Sequence, residues 1–242
     1  MIEKKALQKM GEDQALKARA QDLFLDLFKH KYPYHFTWLG RPIIQFPQDI
    51  VAVQEIIWRV KPDLIIETGI AHGGSLILSS SMLALLDLFE GTSNKRKVVG
   101  VDVLIKENNR SEIESHPLSS MIELIVGSSV DENVTVKLNK ICTSYNKIMV
   151  FLDSNHAHEH VYKELELYSK FVTKGSYLVI FDTVIDKMPD NFFKDRSWGS
   201  GNNPMTALNL FLEKNKNFEI DSHYDEKLIL SVAPNGFLRK IR

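Results

Sequence analysis

The chain holds 242 residues, enough for one substantial α/β domain with an appended segment and a sizeable core. Lysine plus arginine is 30 against 31 for aspartate plus glutamate, so no charge excess points to nucleic acid or to a membrane surface, and a small-molecule partner fits better. The one cysteine, Cys142, excludes an internal disulfide and a cysteine-rich zinc site, suits a reducing compartment, and is expected buried on a helix.

Residues 1–10 alternate charge with apolar side chains and lack the apolar core of a secretion signal, and the long uncharged window from Gly69 to Leu86 is too polar for a membrane span. A cytoplasmic protein is the expectation. Residues 3–31 repeat apolar side chains at helical spacing, notably Leu16, Ala20, Leu23, Leu27 and Phe28, which predicts one or two amphipathic helices. Residues 32–48 crowd together Tyr32, Pro33, Tyr34, Phe36, Trp38, Pro42, Phe46 and Pro47 and cannot form a regular helix; they either cover the domain or a subunit contact, or wall a substrate pocket. Asp49 to Val60 is a helix with Val53, Ile56, Ile57 and Val60 on one face, stopped by Pro62. Residues 1–62 are thus read as N-terminal helices and cover, and residues 63–242 as the ligand-binding domain.

From Asp63 strands and helices alternate, the pattern of a doubly wound parallel sheet. Strands are expected at 63–68, 97–103, 122–127, 147–153 and 176–182, with helices at 75–89, 132–145 and 158–172 and a short irregular piece at 110–118. After Thr183 a polar stretch, 186–203, carries Pro189, Trp198, Gly199 and Gly201 and is long enough for a lid that orders over bound ligand. A helix at 204–214 leads to two closing strands, 218–224 and 227–233, close enough to pair antiparallel.

The chemistry concentrates in Asp63-Leu-Ile-Ile-Glu-Thr-Gly-Ile-Ala-His-Gly-Gly-Ser75: a buried strand, an acid at its end, a glycine turn and a helix start. Gly69 and Gly73 permit positive φ, and the helix opening near Ser75 aims unpaired N–H groups at whatever lies over the turn. Such a corner binds a nucleotide-like cofactor. The spacing Gly-x-x-x-Gly-Gly departs from the dinucleotide fingerprint Gly-x-Gly-x-x-Gly and points instead to S-adenosylmethionine, which has no pyrophosphate to cradle. Glu67 is placed to accept hydrogen bonds from water or from the cofactor's ammonium group, and His72 either touches its carboxylate or faces solvent. Asp102, ending the second strand, suits the ribose hydroxyls. Ser128, in Gly127-Ser-Ser129, sits at the expected adenine edge or in a plain turn.

Asp153 and Asp182 end the fourth and fifth strands, which are neighbours in such a sheet, so their carboxylates are expected to converge on magnesium, a hard cation that accepts oxygen ligands and keeps water. Asp153 is also counted among the cofactor contacts and, with His156, as the catalytic pair. His156 lies three residues on, where a neutral imidazole takes a substrate proton or bonds a backbone carbonyl. A zinc site from His156, His158 and His160 fails on geometry, since residues two apart on a helix do not share a face. Phe181 stands where a second acid beside Asp182 is expected for tight metal binding.

Five strands followed by an antiparallel pair is the layout of the S-adenosylmethionine-dependent methyltransferases. The ordered set Trp38-x-Gly40, Gln45-x-Pro47-x-Asp49, Glu67-Thr-Gly-x-x-x-Gly-Gly-Ser75, Gly127-Ser-Ser129, Leu152-Asp-Ser-x-His156, His160-Val-x-x-Glu-Leu165, Asp182-Thr183 and Gly236-Phe-Leu-Arg239 resembles the cephalosporin hydroxylase family from about Trp38 to the C-terminus. The resemblance implies a class I fold: a doubly wound, mostly parallel, seven-stranded Rossmann-like sheet with an antiparallel last strand and an N-terminal helical extension. It implies magnesium-assisted O-methylation of a small hydroxylated acceptor, a sugar or natural-product scaffold, by an enzyme that is a candidate homo-oligomer. Two other readings stay open on the residues: an oxidoreductase, as the family's name suggests, and a non-catalytic cofactor-binding scaffold.

Overall fold

The computed structural model describes residues 4–92, 95–190 and 192–242; the expected helix start at Glu3 and the expected lid residue Asn191 lie outside them. Helices α1 (Lys4–Glu12) and α2 (Gln14–Lys29) lead into a 3₁₀ turn at Tyr32–His35 and a short hairpin of β1 (Phe36–Trp38) and β2 (Arg41–Ile43). Asp13 caps α2 by accepting the Leu16 N–H at 2.9 Å. Leu23, expected inward, is 48% exposed; the stripe that meets the cover segment runs through Ala20, Phe24 and Phe28, four residues apart, and Phe24 stacks on Phe46. α3 (Pro47–Val60) begins with proline in its first turn, where a missing N–H costs nothing, and buries Val53, Ile56, Ile57 and Val60.

The alternation then runs β3 (Leu64–Thr68), α4 (Gly74–Glu90), β4 (Lys97–Asp102), α5 (Glu107–Glu114), β5 (Ile122–Val126), α6 (Glu132–Cys142), β6 (Ile148–Leu152), α7 (His158–Tyr168), β7 (Tyr177–Ile180), α8 (Pro204–Lys214), β8 (Phe218–Ile220), α9 (Ser222–Lys227) and β9 (Phe237–Lys240). The sheet order is β5-β4-β3-β6-β7-β9-β8; β3 to β7 are parallel and β9 is antiparallel to both its neighbours. This is the doubly wound, seven-stranded Rossmann-like sheet that the sequence predicts. The chain leaves β3 toward β4 on one side and returns to β6 on the other, so the ligand crevice opens at the carboxyl ends of β3 and β6. β3 is apolar throughout because both its faces are covered: Ile65 joins the core layer of α3 and α4, while Leu64 and Ile66 join that of α6, α7 and α8. Cys142, at the end of α6, is only half-buried.

Two expected elements fall elsewhere. Residues 107–114 form α5 in place of an irregular piece, since Asn109 and Ile113 are buried under the glycine turn and Arg110 pairs with Glu114 at 3.0 Å along the helix. The second closing strand is β9 at 237–240, whereas the expected 227–233 makes no strand. Asp221 caps α9 by accepting the His223 N–H, and Ser231 and Val232 are drawn away to Asp49 on α3. Only after the turn at Asn235, φ 58°, and Gly236, whose α-carbon lies too close to the Ile180 carbonyl for any Cβ, does the chain pair with β7.

Asp49 is wholly buried; its carboxylate accepts from the Ser231 hydroxyl at 2.6 Å and from the Val232 N–H at 2.9 Å. Burial pushes its carboxyl up to about 7, against the opposing pull of those two hydrogen bonds. The folded chain therefore holds this proton more tightly than the unfolded chain does. The resulting stability is complete below about pH 4, declines between about pH 4 and 7, and is level above. Asp49→Asn cannot ionise, so its stability relative to the native chain is expected to climb by up to roughly 4 kcal/mol across that window. Urea unfolding at the two ends of the range measures this, and parallel pH curves would refute it.

Candidate active site

β3 delivers Glu67 and Thr68 to the sheet edge, and the turn that follows takes Gly69 at φ 84°, Ala71 at φ 47° and Gly73 at φ 85° before α4 begins. Glycine at 69 is demanded twice, by its left-handed backbone and by the Asp153 carbonyl, which occupies the space of a side chain. Gly73 is pressed in the same way against Ile113. Two residues that the sequence reading did not single out pin the turn. Arg41 donates to the His72 carbonyl from Nε at 3.1 Å and Nη2 at 2.7 Å, and Asn109 Nδ2 donates to the Ala71 carbonyl at 2.8 Å. These partners lie 31 and 38 residues away, so no local pattern announces them.

Asp102 is part of the same brace. Its Oδ2 accepts the Ile70 N–H at 2.8 Å and its Oδ1 the Leu104 N–H at 3.0 Å, so the carboxylate shapes the turn whether or not it also meets a ribose. Asp102→Ala is therefore expected to lower stability by about 1–3 kcal/mol and to weaken cofactor binding together with it. Thermal melting and calorimetry on one preparation separate the two effects; a mutant with native stability would remove the bracing role.

A cavity of about 280 Å³ opens over the turn. It brings together Gly69, His72, Ser75, Asp153, His156 and Asp182. Glu67, Gly73, Asp102 and Ser128 stand outside its wall. Glu67 is behind Ser75, whose hydroxyl donates to Oε1, while Oε2 is buried with no partner among the described residues; burial pushes this carboxyl up to about 8. Ser128 lies in the turn after β5, where its carbonyl accepts the Asp131 N–H at 2.9 Å. The aromatic and proline-rich segment is both cover and wall: Phe46 is in the core, and Tyr34 and Gln45 face the cavity. Phe193, Arg196 and Trp198, from the stretch expected to be a lid, form the opposite rim.

At the floor, one ligand atom from each of Asp153, His156 and Asp182 lies within 4.8 Å of the others. His156 Nε2 is 3.2 Å from Asp182 Oδ2, and its ring stands edge-on to Trp198 with centroids 4.9 Å apart. Asp182 holds φ 56°, a left-handed conformation uncommon for aspartate, steadied by the next residue, where Thr183 Oγ1 donates to the Pro234 carbonyl at 2.6 Å. Burial raises both carboxyls. Asp153 is pushed further by the charges of Asp182, Glu67 and Glu164, while His156 offsets part of the rise at Asp182. Two half-buried carboxylates facing one corner of the cavity repel, and a divalent cation is the group that relieves them, so these residues fit magnesium held by oxygen with the imidazole alongside. Phe181 leaves the site at two carboxylates, its ring packed in the core at 6.1 Å from that of Phe151.

His158 and His160 are engaged elsewhere. His158 Nδ1 lies 2.8 Å from Thr206 Oγ1, and His160 Nε2 meets Ser129 and Ser154. Asn203 caps α8 with a reciprocal bond to Thr206 and also donates to Asp186 at 2.9 Å, tying the end of the rim segment to its start.

Comparison with known proteins finds matches among O-methyltransferases. The Rhamnosyl O-methyltransferase/CmcI family profile matches residues 30–241. A rhamnosyl O-methyltransferase of Mycobacterium tuberculosis (strain ATCC 25618 / H37Rv) is 27% identical over 205 residues, covering 84% of this chain and 77% of that protein. Among solved structures, cmcI-N160 with SAH aligns at TM-score 0.60 with 16% identity, covering 90% of this chain and 92% of that one. The cmcI-D160 Mg-SAM structure aligns at TM-score 0.57 with 17% identity, covering 86% and 78%.

Proposed function

The chain belongs to the Rhamnosyl O-methyltransferase/CmcI family, and from that premise we propose that it transfers the methyl group of S-adenosylmethionine to a hydroxyl of a small acceptor, a sugar or natural-product scaffold, with magnesium at Asp153 and Asp182. The observation that carries the reading is the convergence of Asp153, His156 and Asp182 on one cavity floor beside the glycine turn. Curated relatives at 27% identity act on rhamnosyl groups, and a protein of the same fold is described with magnesium and S-adenosylmethionine together. Both support the assignment.

The acceptor oxygen forms a bond to the methyl carbon as the carbon–sulfur bond breaks, leaving S-adenosylhomocysteine and a proton to be removed. Bound magnesium would supply a fixed point for acceptor oxygens and lower the pKa of the hydroxyl. The protein's own part is placement and proton transfer. The glycine turn and Ser75 seat the cofactor's amino-acid end, and Trp198 and Tyr34 line the same cavity, where a sugar ring would lie against them. His156, oriented by Asp182 through Nε2, takes the acceptor proton at its other ring nitrogen. The rim residues 192–203 would close over both ligands.

Calorimetry with S-adenosylmethionine, with and without magnesium, followed by transfer of labelled methyl to a panel of rhamnosides, tests the reading. Cofactor binding and chelator-sensitive labelling are expected; a chain that binds no S-adenosylmethionine would sink it. Among the described residues no helix is long and apolar enough to cross a membrane. A cytoplasmic location and self-association complete the proposal. The second is supported by the exposed Trp58, Leu85, Leu88 and Phe89 on α3 and α4, and sedimentation of the purified chain decides it.

A further inference from the structure

His160, Glu164 and Tyr168 follow one another at four-residue steps along α7, so their side chains share one stripe of the helix. The stripe reaches two loops at the carboxyl edge of the sheet. Tyr168 donates its hydroxyl hydrogen to the Ser129 carbonyl at 2.9 Å, in the turn after β5. His160 Nε2 lies 3.0 Å from Ser129 Oγ and 3.2 Å from Ser154 Oγ, and Ser154 Oγ donates to Glu164 Oε1 at 2.7 Å. Ser154 directly follows Asp153.

Glu164 is fully buried and its Oε2 has no partner among the described residues, so the Ser154 hydroxyl is the hydrogen bond it relies on. Val161 and Leu165 on the same helix are ordinary core residues, and an apolar side chain at 164 would escape the desolvation cost of an acid. What the acid secures is the loop. From the other side the Asp153 N–H donates to the Thr68 carbonyl at 3.0 Å, and Gly69 packs directly on the Asp153 carbonyl. The backbone of Asp153 is thus gripped by β3 before it and by α7 just after it. With the main chain fixed on both sides, the Cα–Cβ bond of Asp153 is set, and from it the carboxylate reaches within 4.8 Å of the facing atoms of Asp182 and His156.

We propose that Ser154 and Glu164, with His160 bridging to Ser129, are positioning residues that aim the Asp153 carboxylate for the divalent cation; this rests on the metal reading above. Groups that orient metal ligands typically change metal affinity by 10–100-fold when removed, which a residue that merely fills space does not do.

The test is thermal melting of the full chain across a magnesium chloride titration, for the native protein, Ser154→Ala, Ser154→Thr and Glu164→Gln. Saturable stabilisation of the native protein is expected, with Ser154→Ala and Glu164→Gln needing at least about 10-fold more magnesium for half the effect. Ser154→Thr, which restores the hydroxyl, is expected to return the midpoint to within about threefold of native. If Glu164→Gln does not fold, the Ser154 pair decides. A folded Ser154→Ala with the native magnesium midpoint overturns the positioning role and leaves the metal site standing. A native protein that magnesium does not stabilise overturns the metal reading, and this inference with it.

Discussion

Asp153→Asn and Asp182→Asn are each expected to make the metal-free protein more stable and the enzyme inactive. In chelator, burial raises both carboxyls and the Asp182 charge raises Asp153 further, so an amide of the same shape removes a charge that the fold accommodates at a cost. The gain should fall in the range of about 0.5–2 kcal/mol seen when an unfavourable charge is removed. Magnesium adds a second, opposite effect. Each variant is left with too few protein ligands for a hard ion that already relies on water, so magnesium should no longer raise its melting temperature. Methyl transfer should drop by more than the roughly 100-fold that changes behind a metal ligand can cause. The double variant should then lose little more activity than either single one, because both remove the same ion. Melting curves with and without chelator, beside turnover, give all three quantities. Additive losses of activity, or full turnover in excess chelator, would leave proximity and His156 as the mechanism and remove the metal.

Gly69→Ala should be the most damaging single methyl group added to the chain. Two costs combine at that position. A left-handed backbone with a Cβ carries about 1–2 kcal/mol of strain, and the new methyl must displace the Asp153 carbonyl, an overpacking cost of about 1–3 kcal/mol or more against backbone. Gly175 provides the control, since it holds nearly the same backbone, φ 80°, with open space where a Cβ would stand. Gly175→Ala should show the strain alone. Urea unfolding of the two variants therefore isolates the contact between the glycine turn and the Asp153 loop, and equal losses would show that the contact yields easily. The same displacement moves Asp153 itself, so Gly69→Ala is also expected to lose magnesium-dependent stabilisation.

The elements that the sequence made legible are those whose cause is local. Leu64 to Ile66 reads as a buried strand because three consecutive apolar, mostly β-branched residues suit a position covered on both faces, and both core layers do claim them. Gly69 and Gly73 announce a turn because no other residue takes their backbone freely. Asp153 and Asp182 could be paired before any coordinates, since parallel strands put their carboxyl ends on one edge and these two strands are adjacent.

What remained hidden depends on partners distant along the chain. Residues 227–233 carry a strand-like pattern, yet Asp49, some 180 residues earlier, captures Ser231 and Val232, and the pairing edge passes to 237–240. The brace of Arg41 and Asn109 on the glycine turn, and the grip of Glu164 on Ser154, involve side chains whose types suit an exposed surface as well as a site. Periodicity and turn chemistry report the preferences of neighbouring residues. Which buried polar group meets which is decided only when the sheet closes and desolvation leaves each one a single partner within reach.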